Sequence, residues 1–204
     1  MTEEAIEPDT KDWTWTVERV CPECGFDASQ VQASELPSVI RGVTAPWGQR
    51  LAAADARQRP VPTTWSPLEY ACHIHEVLEV FRGRFELILA EDNPSLPNWD
   101  QDAAATEGKY AEADLERVAR EIPERAEELV HVLAAFATSG PADQGVEPHD
   151  GSAEEGSETT TRTGRWERTA VRSDGASFTA LTLGRYLVHD LAHHLYDVGL
   201  DARP

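Results

Sequence analysis

Tyr186-Leu187-Val188-His189-Asp190-Leu191-Ala192-His193-His194-Leu195-Tyr196-Asp197-Val198 reads as a helix that carries three histidines. Leu183, Tyr186, Leu187, Leu191, Leu195 and Val198 recur at helical spacing and form its apolar side, and Gly199 stands where a C-terminal cap belongs. The helix is expected over about 180–198. His189 and His193 are four residues apart, so both rings lie on one face, a turn apart, close enough to hold one ion. The leucines around them point to heavy burial. Buried imidazoles without partners cost free energy, which a metal or a set of carboxylates offsets. A third ligand has to come from a facing helix, and Cys72-His73-Ile74-His75-Glu76 offers His73 and His75. His194 is rotated by about 100° from His193 on an ideal helix, which favours a supporting or packing role over ligation.

The facing helix has a well-marked start. Ser66 is an N-cap residue, Pro67 occupies the first helical position and Glu69 completes a capping box. Leu68, Ala71, His75, Leu78, Phe81, Phe85 and Ile88 follow at helical spacing, and the helix is expected to end near Glu91. A third helix is expected over about 112–138, with Leu115, Val118, Ile122, Ala126, Leu129, Val130, Leu133 and Phe136 as its buried stripe and a bend at Pro123. A first helix is expected over about 29–56, where Val31, Leu36, Ile40, Val43, Trp47 and Leu51 recur, but Pro37 and Pro46 demand a late start or a kink. Trp13 to Val17 alternates like a short strand. Residues 92–108, with Pro94, Pro97 and Trp99, read as an ordered loop. Trp166 to Leu181 reads as a β-hairpin turning at Ser173-Asp174-Gly175. Four helices of bundle length with a short hairpin before the last make a four-helix bundle the expected fold.

The 204 residues suffice for one core, and they divide into an acidic tail with a Cys-x-x-Cys extension over 1–28 and a bundle over 29–200. Residues 139–164 are rich in Gly, Pro, Ser, Thr and acid, and read as a mobile acidic loop within the bundle. The net charge of −19 repels phosphate backbones, so nucleic acid is not an expected partner, and anionic membranes are disfavoured. No apolar run approaches the roughly 18 residues that span a bilayer, and the acidic N-terminus lacks the features of a secretory signal. A cytoplasmic location is the expectation. Three cysteines do not make a secreted disulfide framework.

Thr64-Trp65-Ser66-Pro67-Leu68-Glu69-Tyr70-Ala71-Cys72-His73 resembles the W-S-x-x-E-x-x-x-H start of the second helix in the DinB-like superfamily, and the run 186–198 resembles that group's H-x-x-x-H last helix. Asn98-Trp99-Asp100-Gln101-Asp102 and the hairpin from Trp166 to Gly175 resemble its actinobacterial branch, which includes the N-terminal domain of mycothiol-dependent maleylpyruvate isomerase. The resemblance covers about residues 29–200. It implies a four-helix bundle with a divalent ion, zinc or nickel, held by three histidines, here His73, His189 and His193. It also implies thiol chemistry on a small electrophile: transfer of a low-molecular-weight thiol such as mycothiol or bacillithiol, or a thiol-assisted isomerisation. The runner-up reading is a non-catalytic metal-binding or stress-response protein. Bundles of this type often dimerise, which makes a homodimer an expectation.

Glu69 lies one turn before His73, and Asp197 one turn after His193, so either can accept the second N–H of a ligand ring; His194 is a third supporting candidate. Cys21-Pro22-Glu23-Cys24-Gly25 forms half of a zinc-knuckle pair and lies outside the part that the family needs. Three readings stand for Cys21 and Cys24: a second zinc with two histidines such as His75 and His194, a redox pair, or a reduced structural turn.

Overall fold

Ser66 begins the longest element as its sequence demands. Its hydroxyl accepts the Glu69 N–H at 3.3 Å, the Glu69 carboxylate accepts the Ser66 N–H at 2.7 Å, and Pro67 occupies the first turn. In this computed structural model, which describes residues 6–8, 11–137 and 164–201, the resulting helix is Pro67–Ala90 (α3). It is buried on nearly every side, so its apolar residues run well beyond one stripe.

Three further helical elements surround it. The first is broken into Leu36–Thr44 (α1) and Trp47–Leu51 (α2). Pro37 lies in the first turn of α1, where a missing N–H costs nothing, and Pro46 separates the two pieces. A short helix, Gln101–Glu107 (α4), makes two turns behind the cap that Asp100 provides to Asp102 and Ala103. Leu115–Ala134 (α5) starts at the Asp114 cap, carries Pro123 internally, and buries Val118, Ile122, Ala126, Leu129 and Leu133. Ala180–Asp197 (α6) starts at a Thr179–Thr182 capping box and ends at Gly199, whose φ is 79°. α3 packs on α5 and α6, and α1 packs on the same two helices, which closes the ring of a four-helix bundle. This is the expected four-helix bundle. α1 and α6 meet at Gly184, where a Cβ would come within 2.6 Å of Leu36 Cδ1.

The hairpin is present as Thr169–Arg172 (β2) and Ser177–Thr179 (β3), antiparallel around Gly175 at φ 93°. Two features were not expected. Ser95–Leu96 (β1) adds a parallel strand to β2, and α4 forms inside the stretch read as a loop. Trp13 to Val17 is not a strand: Thr14–Val17 is a 3₁₀ turn, because the Asp12 carboxylate takes the Thr14 N–H and the Thr16 hydroxyl donates to the Trp13 carbonyl. That turn packs against α6. The acidic loop expected over 139–164 lies outside the described residues but for residue 164, as does most of the acidic tail. Among the described residues, no helix is long and apolar enough to cross a membrane.

Candidate metal centre

α6 carries two interleaved pairs of donors. His189 and His193 are one pair at four-residue spacing, and Asp190 and His194 are another, displaced by one residue and so by about 100° around the axis. The two pairs meet different partners, and each pair joins a separate cluster of metal-capable side chains.

The first cluster is His73, Asp190 and His194, with one donor atom of each within 4.8 Å of the others. α3 supplies His73 two turns into the helix, because the cap at Ser66 fixes its register. His73 is buried, and neither ring nitrogen has a hydrogen-bond partner. Its Nε2 lies 3.9 Å from Asp190 Oδ2, too far for a hydrogen bond. Its ring stands edge-on to His194 at 4.8 Å, and Trp99 stacks on it at 5.3 Å. Burial and the nearby His194 push the His73 pKa down to about 3. Burial opposes charge on Asp190 as well, but His194 and the neighbouring rings outweigh it and hold the carboxyl at about 2. Burial also opposes charge on His194, yet its contacts with Asp190 and Asp197 dominate and raise it to about 10. The arrangement therefore presents a neutral imidazole, an ionised carboxylate and an imidazole that holds a second proton until a metal displaces it. His194 Nδ1 is 2.8 Å from Asp197 Oδ2, and its Nε2 is 3.4 Å from Asp190 Oδ1. Without a metal, His194 thus directs its Nδ1–H at Asp197 and its Nε2–H at Asp190; an ion bound at Nε2 would replace that second proton while Asp197 holds the first.

The second cluster is Cys21, Cys24, His189 and His193. Cys21 Sγ lies 3.9 Å from His193 Nδ1, and Cys24 Sγ lies 3.9 Å from His189 Nε2. Trp13 covers both rings, at 5.5 Å from His189 and 4.8 Å from His193. Burial lowers the pKa of both imidazoles, His189 to about 4.

The expected trio of His73, His189 and His193 is thus divided: His73 stands with Asp190 and His194, the other two with the cysteines. Asp197, expected beside His193, lies 2.8 Å from His194 Nδ1 and 3.8 Å from His193 Nε2. Glu69 is not turned toward His73. Its carboxylate accepts from Ser66 and Arg59, and the His73 nitrogens receive nothing from it. His75 lies apart from both clusters, 3.0 Å from Glu121 Oε2. Asp190 is the residue that sequence reasoning left undecided, although the four-residue rule that found His189 and His193 applies equally to Asp190 and His194.

A cavity of about 700 Å³ opens over the first cluster and is lined by His189 and His193 of the second as well. Trp65 and Trp99 wall it beside His73, and Tyr186, Arg84 and Arg172 line its far side. Arg84 is buried there over the Phe81 ring at 4.9 Å, and its Nε has no partner. Trp13 and Glu23 bring the N-terminal segment to the rim.

No protein-family model matches the sequence, and no curated protein matches it significantly. The fold is similar to a solved structure described as "YfiT from Bacillus subtilis is a probable metal-dependent hydrolase with an unusual four-helix bundle topology". The two chains are 17% identical, with a TM-score of 0.60 over 88% of this chain and 91% of that one.

Proposed function

We propose that this chain is a metal-dependent enzyme of the DinB-like, actinobacterial type, which holds one divalent ion between His73, Asp190 and His194 and joins a small thiol to an electrophilic substrate in the cavity above, or isomerises the substrate with that thiol's help. The observation that carries the reading is His73. A fully buried imidazole with two unpartnered nitrogens is costly, and here it faces an ionised carboxylate and a second imidazole. These donors fit zinc or nickel, and three protein ligands leave a position open. When bound, such an ion polarises a substrate oxygen or stabilises a thiolate near neutral pH.

This chain's own residues do the rest. Asp197 fixes the tautomer and orientation of His194. Trp65 and Trp99 keep water from the back of His73 and offer flat apolar walls to a substrate. The unpartnered Arg84 Nε suits an anionic group on the substrate, with Arg172 and Tyr186 beside it. A volume of about 700 Å³ accommodates two small reactants at once. The resemblance to the mycothiol-dependent branch supports a thiol as one of them. The description of YfiT as a probable metal-dependent hydrolase supports metal dependence and makes water the competing nucleophile.

The test compares metal-loaded protein with H73A and D190N. Each variant is expected to lose the cavity metal and any turnover of a thiol with an activated alkene or epoxide. Full metal content in both folded variants would overturn the site. Turnover of esters or amides with no thiol requirement would replace thiol transfer by hydrolysis. Tight metal binding with neither activity, across both substrate classes, would favour the non-catalytic reading.

A further inference from the structure

The cysteine turn has no part in the chemistry above, yet it is tied to α6. We infer that Cys21, Cys24, His189 and His193 form a second metal site, a closed four-ligand zinc centre that clamps the N-terminal segment to the last helix.

Geometry carries this. The four donor atoms lie within 4.8 Å of one another. In a tetrahedral zinc site with Zn–S near 2.3 Å and Zn–N near 2.0–2.1 Å, sulfur and nitrogen stand about 3.6 Å apart. The two cross-element S–N distances are both 3.9 Å, so each cysteine already faces one histidine at close to ligand–ligand separation. The backbone is shaped for it. Gly25 N–H donates to the Cys21 carbonyl at 2.9 Å, Cys21 N–H donates to the Phe26 carbonyl at 3.0 Å, and Gly25 takes φ 74°, which closes the turn so that both sulfurs point the same way. The thiols are free, Cys21 is fully buried, and both histidines are buried under Trp13.

The alternatives explain less. A structural turn needs neither a second cysteine nor two imidazoles aimed at the sulfurs. A redox pair accounts for the two sulfurs, of which Cys24 is half-buried, but not for the two imidazoles that face them. Two thiolates and two neutral imidazoles are a donor set that zinc prefers among the common divalent ions. With four protein ligands no coordination position remains, so the centre is structural and separate from the open site at His73. The Glu23 and Asp197 carboxylates each lie 3.8 Å from His193 Nε2, beyond hydrogen-bond distance but on the side of the ring away from Cys21. The clamp also sets one rim of the cavity, because Trp13 and Glu23 belong to both.

The experiment uses the full chain, purified with a phosphine reductant in thiol-free buffer and loaded with zinc. About two zinc ions per chain are expected, falling to about one in the C21S/C24S double variant and to about one in H73A. Cobalt alone, substituted into wild type and into H73A, is expected to give a thiolate-to-metal charge-transfer band that survives loss of His73. Zinc X-ray absorption on wild-type protein keeps the test independent of whether the cysteine variant folds: sulfur scattering near 2.3 Å is expected. Unchanged zinc in a folded C21S/C24S protein, a sulfur-free ligand shell, or a Cys21–Cys24 disulfide in zinc-loaded protein would each overturn the inference. Failure of the His73 reading alone would leave the charge-transfer band in place.

Discussion

Asp197 is the residue that touches both clusters, at 2.8 Å from His194 Nδ1 and 3.8 Å from His193 Nε2. Replacing it by Asn keeps the shape but removes the charge that polarises His194. D197N is expected to weaken metal binding at the cavity site by roughly 10–100-fold, read by competition with a chromophoric chelator. Unaltered affinity would mean that His194 needs no such support. Cys72 gives a contrasting case. Burial pushes its thiol up to about 12, so almost none is thiolate at neutral pH. In native protein it is expected to resist iodoacetamide at pH 8 and to react promptly in denaturant, as mass spectrometry would show. At this scale the sequence was half legible. Four-residue spacing marks which side chains share a face, and it found His189 and His193. It does not say which face meets α3 and which meets the N-terminal segment, because that depends on how α6 is rotated in the bundle. The grouping of His73 with His189 and His193 came from the family resemblance, whereas the structure sets His73 beside Asp190 and His194.

Among the elements, α3 was the most legible, since Ser66, Pro67 and Glu69 state its start locally. Glu69 also couples that start to pH. Burial pushes its carboxyl up, but Arg59 and Ser66 outweigh burial and hold it below its ordinary value. A carboxyl lowered in the folded state stabilises fully above its unfolded pKa, about 4.3, and that contribution is lost as pH falls below it through the folded value. E69Q is therefore expected to cost on the order of 2–3 kcal/mol at pH 7 and to flatten the loss of stability between about pH 5 and 3, measured by urea unfolding. An equally steep acid limb in E69Q would assign the loss to other carboxyls. The α1–α6 crossing was not legible, because nothing local marks Gly184 as a contact. Its missing side chain admits Leu36, and G184A is expected to cost about 1–3 kcal/mol in the same assay. α4 and β1 were hidden for another reason. Each is short and held by partners distant in sequence, with β1 borrowing its hydrogen bonds from β2.

For the molecule as a whole, the two centres tie α3 to α6 and the N-terminal segment to α6. Metal that binds only the folded chain adds stability by mass action. Chelator is expected to lower the melting temperature strongly at pH 7.5 and weakly at pH 5.5, because His194 and the two thiols must give up protons to bind metal, and that competition grows as pH falls. Coincident melts at pH 7.5, in protein verified to hold metal, would show that the ions do not couple these elements. The bundle itself was legible from helix lengths and loop spacing. The docking of residues 11–30 on α6 was not, since Trp13 to Val17 has the alternation of a strand and its true partner lies at the far end of the chain. That distance has a consequence for biosynthesis. Cys21 and His193 are 172 residues apart, and Cys24 and His189 are 165 apart, so the ribosome delivers the first half of this contact long before the second. While the nascent chain grows, the knuckle has no helix to close on and its thiols wait exposed to solvent. Closure of the clamp waits until α6 has emerged, and a chain cut short before α6 has a cysteine turn with nowhere to dock.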